Sequence, residues 1–248
     1  MKQKAIFFDL YQTLINIDIS NEKGGQKTGF EKVLCPFLLK NGVRESDASQ
    51  LESYYSNELK LFYSEHDKEI FHHSFPFILS CVFSTYYKLT LSDKELYDLI
   101  YEYRKISRGH LALYSGVREV LEILSEHYTL VVASYTQSAY SERELEELDI
   151  RHYFNYCVYS SDLGFKKKSD KFYEKCLETV NLKATDCAMV GDNLYDDMYM
   201  ANRNGIHTIW IINPLTKKEK SEIEVTPDAA IPIESIKGLP SVIARVLA

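Results

Sequence analysis

The sequence predicts an α/β fold, a Rossmann-like parallel-sheet core with an inserted all-helical segment. Three observations predict it. Short apolar runs stop abruptly at a polar residue, as in Ala5-Ile6-Phe7-Phe8-Asp9 and Cys187-Ala188-Met189-Val190-Gly191-Asp192. Runs of this kind read as strands buried on both faces, which is the habit of parallel sheets. From Ser115 onward such strands alternate with helical patterns, which implies right-handed crossovers. Between the first strand and that alternation, from about Phe30 to Arg108, the periodicity is helical and no strand is evident. The 248 residues suit a core with one insert. The boundaries are placed at 1–16 and 113–248 for the core and 17–112 for the helical segment.

Composition narrows the function. Hydrophobic residues make up 45%, enough for a sizeable core, and the net charge of -7 offers no basic footprint for a nucleic-acid polymer. No apolar run reaches membrane-spanning length. Met1-Lys2-Gln3-Lys4 runs straight into the first strand, without the pattern of a signal peptide. The five cysteines show no CxxC pairing, so reduced thiols and a cytoplasmic setting are expected.

Taken in order, the elements read as follows. The first strand ends at Asp9. The polar, Gly-rich Asn21-to-Gly29 stretch reads as a loop. Phe30, Val33, Leu34, Phe37 and Leu38 recur at helical spacing. Further helices are expected at Ser46–Tyr63, Ser74–Tyr87 and, after the capping-box pattern Ser92-Asp93-Lys94-Glu95, to about Ser107. His66, His72 and His73 lack supporting ligands at a metal-site spacing. Arg104, Lys105, Arg108 and His110 read as a solvated helix face, with contact to an anion as the alternative. A helix then opens at Ser115-Gly116-Val117. Strands are expected at Tyr128–Tyr135, Phe154–Tyr159, Asp186–Asp192 and Gly205–Ile212, with helices at Ser141–Leu148, Ser169–Val180 and about Asn193–Asn204. The tyrosine-rich helices of the insert pack on each other or on a second subunit, so the chain is expected to be a monomer or homodimer.

Four strand ends carry polar residues: Asp9, Ser134, the run Lys166-Lys167-Lys168, and Asp192 with Asp197. An Asp after a strand is often only a turn residue, and Asp196 and Asp197 stand where plain helix caps are common. In a parallel sheet, however, these ends share one edge, where ligands bind. Three converging carboxylates repel one another unless a cation is present, and oxygen-only ligands suit Mg²⁺. A hydroxyl and an ammonium beside them would complete an anion pocket.

This arrangement resembles the haloacid dehalogenase superfamily, in its phosphatase and nucleotidase branch. The family's first motif, an Asp nucleophile followed three residues later by Thr, is matched by Asp9-Leu10-Tyr11-Gln12-Thr13. Its second is matched by Ser134, and its third by Gly164-Phe165-Lys166-Lys167, although Lys168-Ser169-Asp170 replaces the usual Pro-Asp-Pro. Its fourth is matched by Gly191-Asp192 and Asp197. The resemblance implies Asp9 as a covalent nucleophile, with Ser134 and Lys167 on the substrate's anionic group. It implies Mg²⁺ on Asp9, the main-chain oxygen of Tyr11, Asp192 and Asp197. Tyr11, Thr13 and Tyr135 are candidate substrate contacts, and the helical insert corresponds to a cap that closes over the site.

Tyr11 departs from the pattern. Phosphatases of the family carry an Asp there, which protonates the leaving group. General acid–base help is worth about 10²–10⁴-fold, and a phenol of pKa ~10 is a poor substitute. The 2-haloacid dehalogenases carry Tyr at this place but lack the carboxylate pair. The carboxylate pair weighs more, because buried carboxylates without a cation are expensive. The leading expectation is therefore a Mg²⁺-dependent phosphatase of a small phosphorylated metabolite. The alternatives are a metal-independent 2-haloacid dehalogenase and a protein that binds a phosphometabolite without turnover.

Overall fold

The computed structural model describes residues 3–17, 22–216 and 225–248. Its main sheet has six parallel strands. They are β1 (Ala5–Phe8), β4 (Thr129–Ser134), β5 (Tyr156–Tyr159), β6 (Cys187–Gly191), β7 (His207–Ile212) and β8 (Ala229–Pro232), in the spatial order β5-β4-β1-β6-β7-β8. β1 is central. The chain builds outward from it through β4 and β5, then returns to its other side and builds outward through β6, β7 and β8. The carboxyl ends of β1, β4 and β6 meet at that reversal, which is where open α/β sheets place their sites.

Alternation along β1 divides the core. Ile6 and Phe8 face one layer, which holds Val120, Leu121 and Leu124 of α7 (Val117–His127) and Ile243 of the C-terminal helix Leu239–Val246. Ala5 and Phe7 face the other layer, with Phe172, Tyr173 and Cys176 of the helix Asp170–Val180. The five cysteines are unpaired.

Two three-residue strands, β2 (Ile15–Ile17) and β3 (Leu111–Leu113), pair antiparallel where the helical segment leaves and rejoins the sheet. That segment contains α1 (Glu22–Gly29), a π-helical turn at Phe30–Leu34 and α2 (Cys35–Lys40). It continues with α3 (Glu45–Ala48), α4 (Leu51–Glu65), α5 (Phe75–Tyr87) and α6 (Asp93–Ser107). They enclose their own cluster, among it Leu34, Leu51, Leu79, Val82, Phe83 and Ile100. The capping box at Ser92 and Glu95 is present, with both reciprocal bonds.

Two readings are corrected here, and two elements are added. Residues 22–29 form a helix rather than a loop; Asn21 lies outside the described residues. Its glycines serve close approach. A Cβ at Gly25 would lie 2.0 Å from the Ser107 carbonyl oxygen, and one at Gly29 would lie 2.6 Å from the Tyr103 ring, so α1 can lie directly on α6. The helix expected at 46–63 is two helices, α3 and α4. β8 and the C-terminal helix were not foreseen.

Candidate functional site

The site is built at the carboxyl edge of the sheet. Asp9 follows β1, its amide still paired to the Val190 carbonyl of β6 at 2.9 Å. The next turn is held by Gln12, a non-glycine residue at φ 63°. Its side chain donates to the Ile17 carbonyl and accepts from the Tyr114 hydroxyl, and its own carbonyl accepts from Asn213. Left-handed backbone of this kind persists where the surroundings over-determine it.

Asp9, Asp192 and Asp197 are all buried, and each offers an oxygen within 4.8 Å of the others. Lys167 is 2% exposed, and its ammonium bridges Asp9 and Asp197 at 2.6 Å each. The Ser134 hydroxyl, at the end of β4, donates to the same Asp9 oxygen at 3.1 Å. Thr13 and Thr216 donate to the two oxygens of Asp192, at 3.1 and 2.5 Å. Of the three consecutive lysines only Lys167 turns into this cluster. Lys166 bonds the Lys68 carbonyl, and Lys168 lies 5.5 Å from the centre of the Tyr195 ring.

Asp197 arrives by a local irregularity. The Asn193 side chain caps the turn by accepting from the Tyr195 and Asp196 amides, so Asp196 is not the cap it was read as. The backbone then makes one π-helical turn over Leu194–Tyr199, and the Asp197 carboxylate folds back to accept from the Asn193 amide at 3.1 Å. Turns of this type recur at functional sites. Asp197 packs so closely on Gly191 that a Cβ there would lie 2.2 Å from its Oδ2. Gly191→Ala is therefore expected to displace Asp197. A destabilisation of about 1–3 kcal/mol, the usual cost of overpacking, should appear in thermal unfolding. A variant as stable as the parent would show that the carboxylate is not locked in place.

The electrostatics are lopsided. Three carboxylates face one ammonium. Burial, and after it the Asp9 charge, push the Asp192 carboxyl up to about 6. Burial is also the main reason that Asp197 stands well above the ordinary carboxylate range, with Lys167 pulling the other way. For Lys167 the depressing effect of burial is outweighed by Asp197 and Asp9, and its ammonium is held above its usual value. An all-oxygen donor set with excess negative charge fits a hard divalent cation.

Tyr11 faces away from this cluster into a second network. Its hydroxyl donates to Glu144 and lies 2.8 Å from the Ser141 hydroxyl, both on α8 (Ser138–Glu147). Glu144 is fully buried and accepts from Arg104 at 2.8 Å and Arg108 at 3.0 Å. These arginines sit on and just beyond α6 and are themselves largely buried, so the solvated-face reading is corrected for them, while Lys105 and His110 are exposed as it expected. Burial first, then the Glu144 charge, hold the Tyr11 phenol well above its ordinary pKa.

A cavity of about 380 Å³ opens between the helical segment and the sheet edge, beside Tyr135 and Thr136. Phe30, Tyr55, Phe75, Tyr103 and Tyr140 line it, with Arg104. Tyr135 is 43% exposed, with the His72 ring tilted against it at 4.5 Å and the Lys166 ammonium 5.6 Å from its ring centre. Gln137 joins the two sides, accepting from the Phe75 amide at 2.7 Å and contacting His72 and His73. Sequence reasoning missed Glu144, Ser141 and Thr216, since no motif marks them.

The family model described as Haloacid dehalogenase-like hydrolase matches residues 38–211, and the chain belongs to that family of hydrolases. A glyceraldehyde 3-phosphate phosphatase of Pyrococcus abyssi is 27% identical, over 84% of this chain and 80% of its own. A pyrimidine 5'-nucleotidase of Streptococcus pneumoniae is 26% identical, over 85% and 84%. Among solved structures, a 2-haloacid dehalogenase from Pseudomonas syringae pv. Tomato aligns with a TM-score of 0.67, covering 98% of each chain at 24% identity. That likeness shows the shared fold. The sequence relatives favour a phosphatase over a dehalogenase. Among the described residues no helix is long and apolar enough to cross a membrane.

Proposed function

We propose that the protein is a Mg²⁺-dependent phosphatase of a small phosphorylated metabolite, with Asp9 as the nucleophile. One observation carries the reading: a buried carboxylate at the end of the central strand, bonded to Ser134 and Lys167 and within 4.8 Å of two further carboxylates. Both bonds described for Asp9 fall on Oδ1, which leaves Oδ2 free to attack phosphorus. The leaving oxygen departs, and water then releases phosphate from the aspartyl phosphate. Ser134 and Lys167 hold the phosphoryl oxygens by hydrogen bond and charge. Lys167 also orients Asp9. Thr13 and Thr216 orient Asp192. Asp9, the Tyr11 carbonyl, Asp192 and Asp197 would hold Mg²⁺, which when bound neutralises charge on the phosphoryl group. Residues 17–112 act as the cap, and Tyr135 borders the cavity that receives the leaving group.

The test is turnover of acetyl phosphate and p-nitrophenyl phosphate, with Mg²⁺ and with EDTA. Both leaving groups need little protonation. Turnover confined to the Mg²⁺ arm is expected. Silence in both arms from folded protein, with halide released from 2-chloropropionate, would instead support the dehalogenase alternative.

Stability gives an independent check. In EDTA the folded chain keeps a proton on Asp192 to higher pH than an unfolded chain does, so ionising it opposes folding, and the raised Asp197 acts in the same sense. Thermal stability in EDTA is expected to fall as pH rises from about 4 through about 6. Mg²⁺ at neutral pH is expected to restore it, by about 2.7 kcal/mol at a hundred times Kd. A melting temperature blind to Mg²⁺ at pH 7 would count against the metal site.

A further inference from the structure

A phosphoryl transfer must deal with the proton demand of its leaving oxygen. An expelled alkoxide has a conjugate acid about as weak as water, of pKa ~16, whereas a carboxylate leaves as the stable anion of an acid of pKa ~4. The first needs a proton donor in the transition state and the second does not.

The donors around Asp9 are committed elsewhere. A phenol has one proton to give, and Tyr11 gives it to Glu144. The oxygens of Glu144 also accept from Arg104 and Arg108. Ser134 and Lys167 donate to Asp9, and Thr13 and Thr216 donate to Asp192. On the cavity side Arg104 carries a guanidinium, which does not deprotonate. His72 is bonded to Ser160 and Gln137, and His73 to Tyr63 and Tyr55; burial pushes the two imidazoles down to about 3 and about 4, so both are neutral. None of these bonded side chains is left to protonate a departing alkoxide or to take a proton from attacking water. Asp192 and Asp197 are the expected Mg²⁺ ligands, and burial holds the Tyr135 phenol well above its ordinary pKa, which makes it a poor acid.

Resting on the phosphatase reading, we propose that this site serves phosphoryl donors whose leaving oxygen departs without a proton, acyl phosphates foremost, and that phosphorylated Asp9 is the longest-lived species of the cycle. In the first half an Asp9 oxygen bonds to phosphorus. The bond from phosphorus to the acyl oxygen breaks, and its electron pair leaves with the carboxylate. In the second half water adds to phosphorus and the bond to Asp9 breaks. One proton of that water stays on the phosphate and the other passes to solvent. The aromatic wall of the cavity, with its neutral imidazoles and with the Arg104 charge balanced by Glu144, suits an uncharged acyl group.

The experiment measures kcat/KM in Mg²⁺ for acetyl phosphate, p-nitrophenyl phosphate, phenyl phosphate and glycerol 3-phosphate. This parameter reports the phosphorylation step. It is expected to fall by at least about 10³-fold from acetyl phosphate to the alkyl ester, within the range that a missing general acid allows. A series in which glycerol 3-phosphate stays within about tenfold of acetyl phosphate reveals a working acid; it overturns the inference and leaves the phosphatase reading standing. Silence across the whole series removes both. Rapid quenching with acetyl phosphate is expected to show a burst of acetate equal to the active sites, with the protein heavier by one phosphoryl group. Linear acetate release from the first turnover overturns the claim for phosphorylated Asp9.

Discussion

Asp9→Asn will lose turnover by at least about 10⁴-fold, the scale on which nucleophile replacements act, yet will fold at least as stably as the parent chain in EDTA. The two halves have separate causes. An amide oxygen is too weak a nucleophile to displace a leaving group from phosphorus. It still accepts hydrogen bonds, so those from Ser134 and Lys167 to Oδ1 can persist. Lys167 also keeps its bond to Asp197 at 2.6 Å. What disappears is one of three buried like charges, and with it part of the effect that raises Asp192 and Asp197. The same loss removes one expected Mg²⁺ ligand, so the Mg²⁺-induced rise in melting temperature should shrink in this variant. Activity and melting curves with and without Mg²⁺ check all three results. Turnover within tenfold of the parent would place the nucleophile elsewhere.

This division between chemistry and folding also explains what could be read from the chain. Strand ends were legible because a parallel strand buried on both faces must be apolar, so a polar residue at its end stands out. Asp9, Ser134 and Asp192 announce themselves that way, and the structure brings them together at one edge. Lys167 was legible only as one of three, because its selection depends on where the loop after Gly164 turns. That loop is fixed from a distant segment. The His72 amide bonds the Gly164 carbonyl at 2.9 Å and the Lys166 amide bonds the Ile70 carbonyl at 2.8 Å. The helix at Glu22–Gly29 was illegible for a related reason. Its glycines mimic a loop, and only the nearness of Ser107 and Tyr103 reveals their use. β2 and β3 are three residues each, too short for any period to show. Arg104 and Arg108 looked solvated because their partner, Glu144, lies about forty positions away and belongs to a different helix.

Glu144 is where the largest loss of stability is expected. Its carboxylate ties three parts of the chain together: the turn after β1 through Tyr11, its own helix α8, and the end of α6 through Arg104 and Arg108. Exposed ion pairs contribute little, about 0–1 kcal/mol. This one is different in kind, since Glu144 is fully buried and Arg108 is only 7% exposed. Glu144→Ala leaves guanidiniums without their carboxylate and a phenol without its acceptor. Removing one partner of a buried pair costs roughly 3–5 kcal/mol. For a chain of this size that lowers the melting temperature by roughly 10 °C. Arg108 keeps Glu147 at 2.7 Å, which moderates its share, whereas Arg104 has Glu144 as its ion-pair partner. A double-mutant cycle of Glu144→Ala with Arg104→Ala should therefore be strongly non-additive, because the second change removes the charge that the first has stranded. A drop below about 1 kcal/mol for Glu144→Ala would mean that water reaches the pair and screens it, and the site would lose its tie between helical segment and sheet.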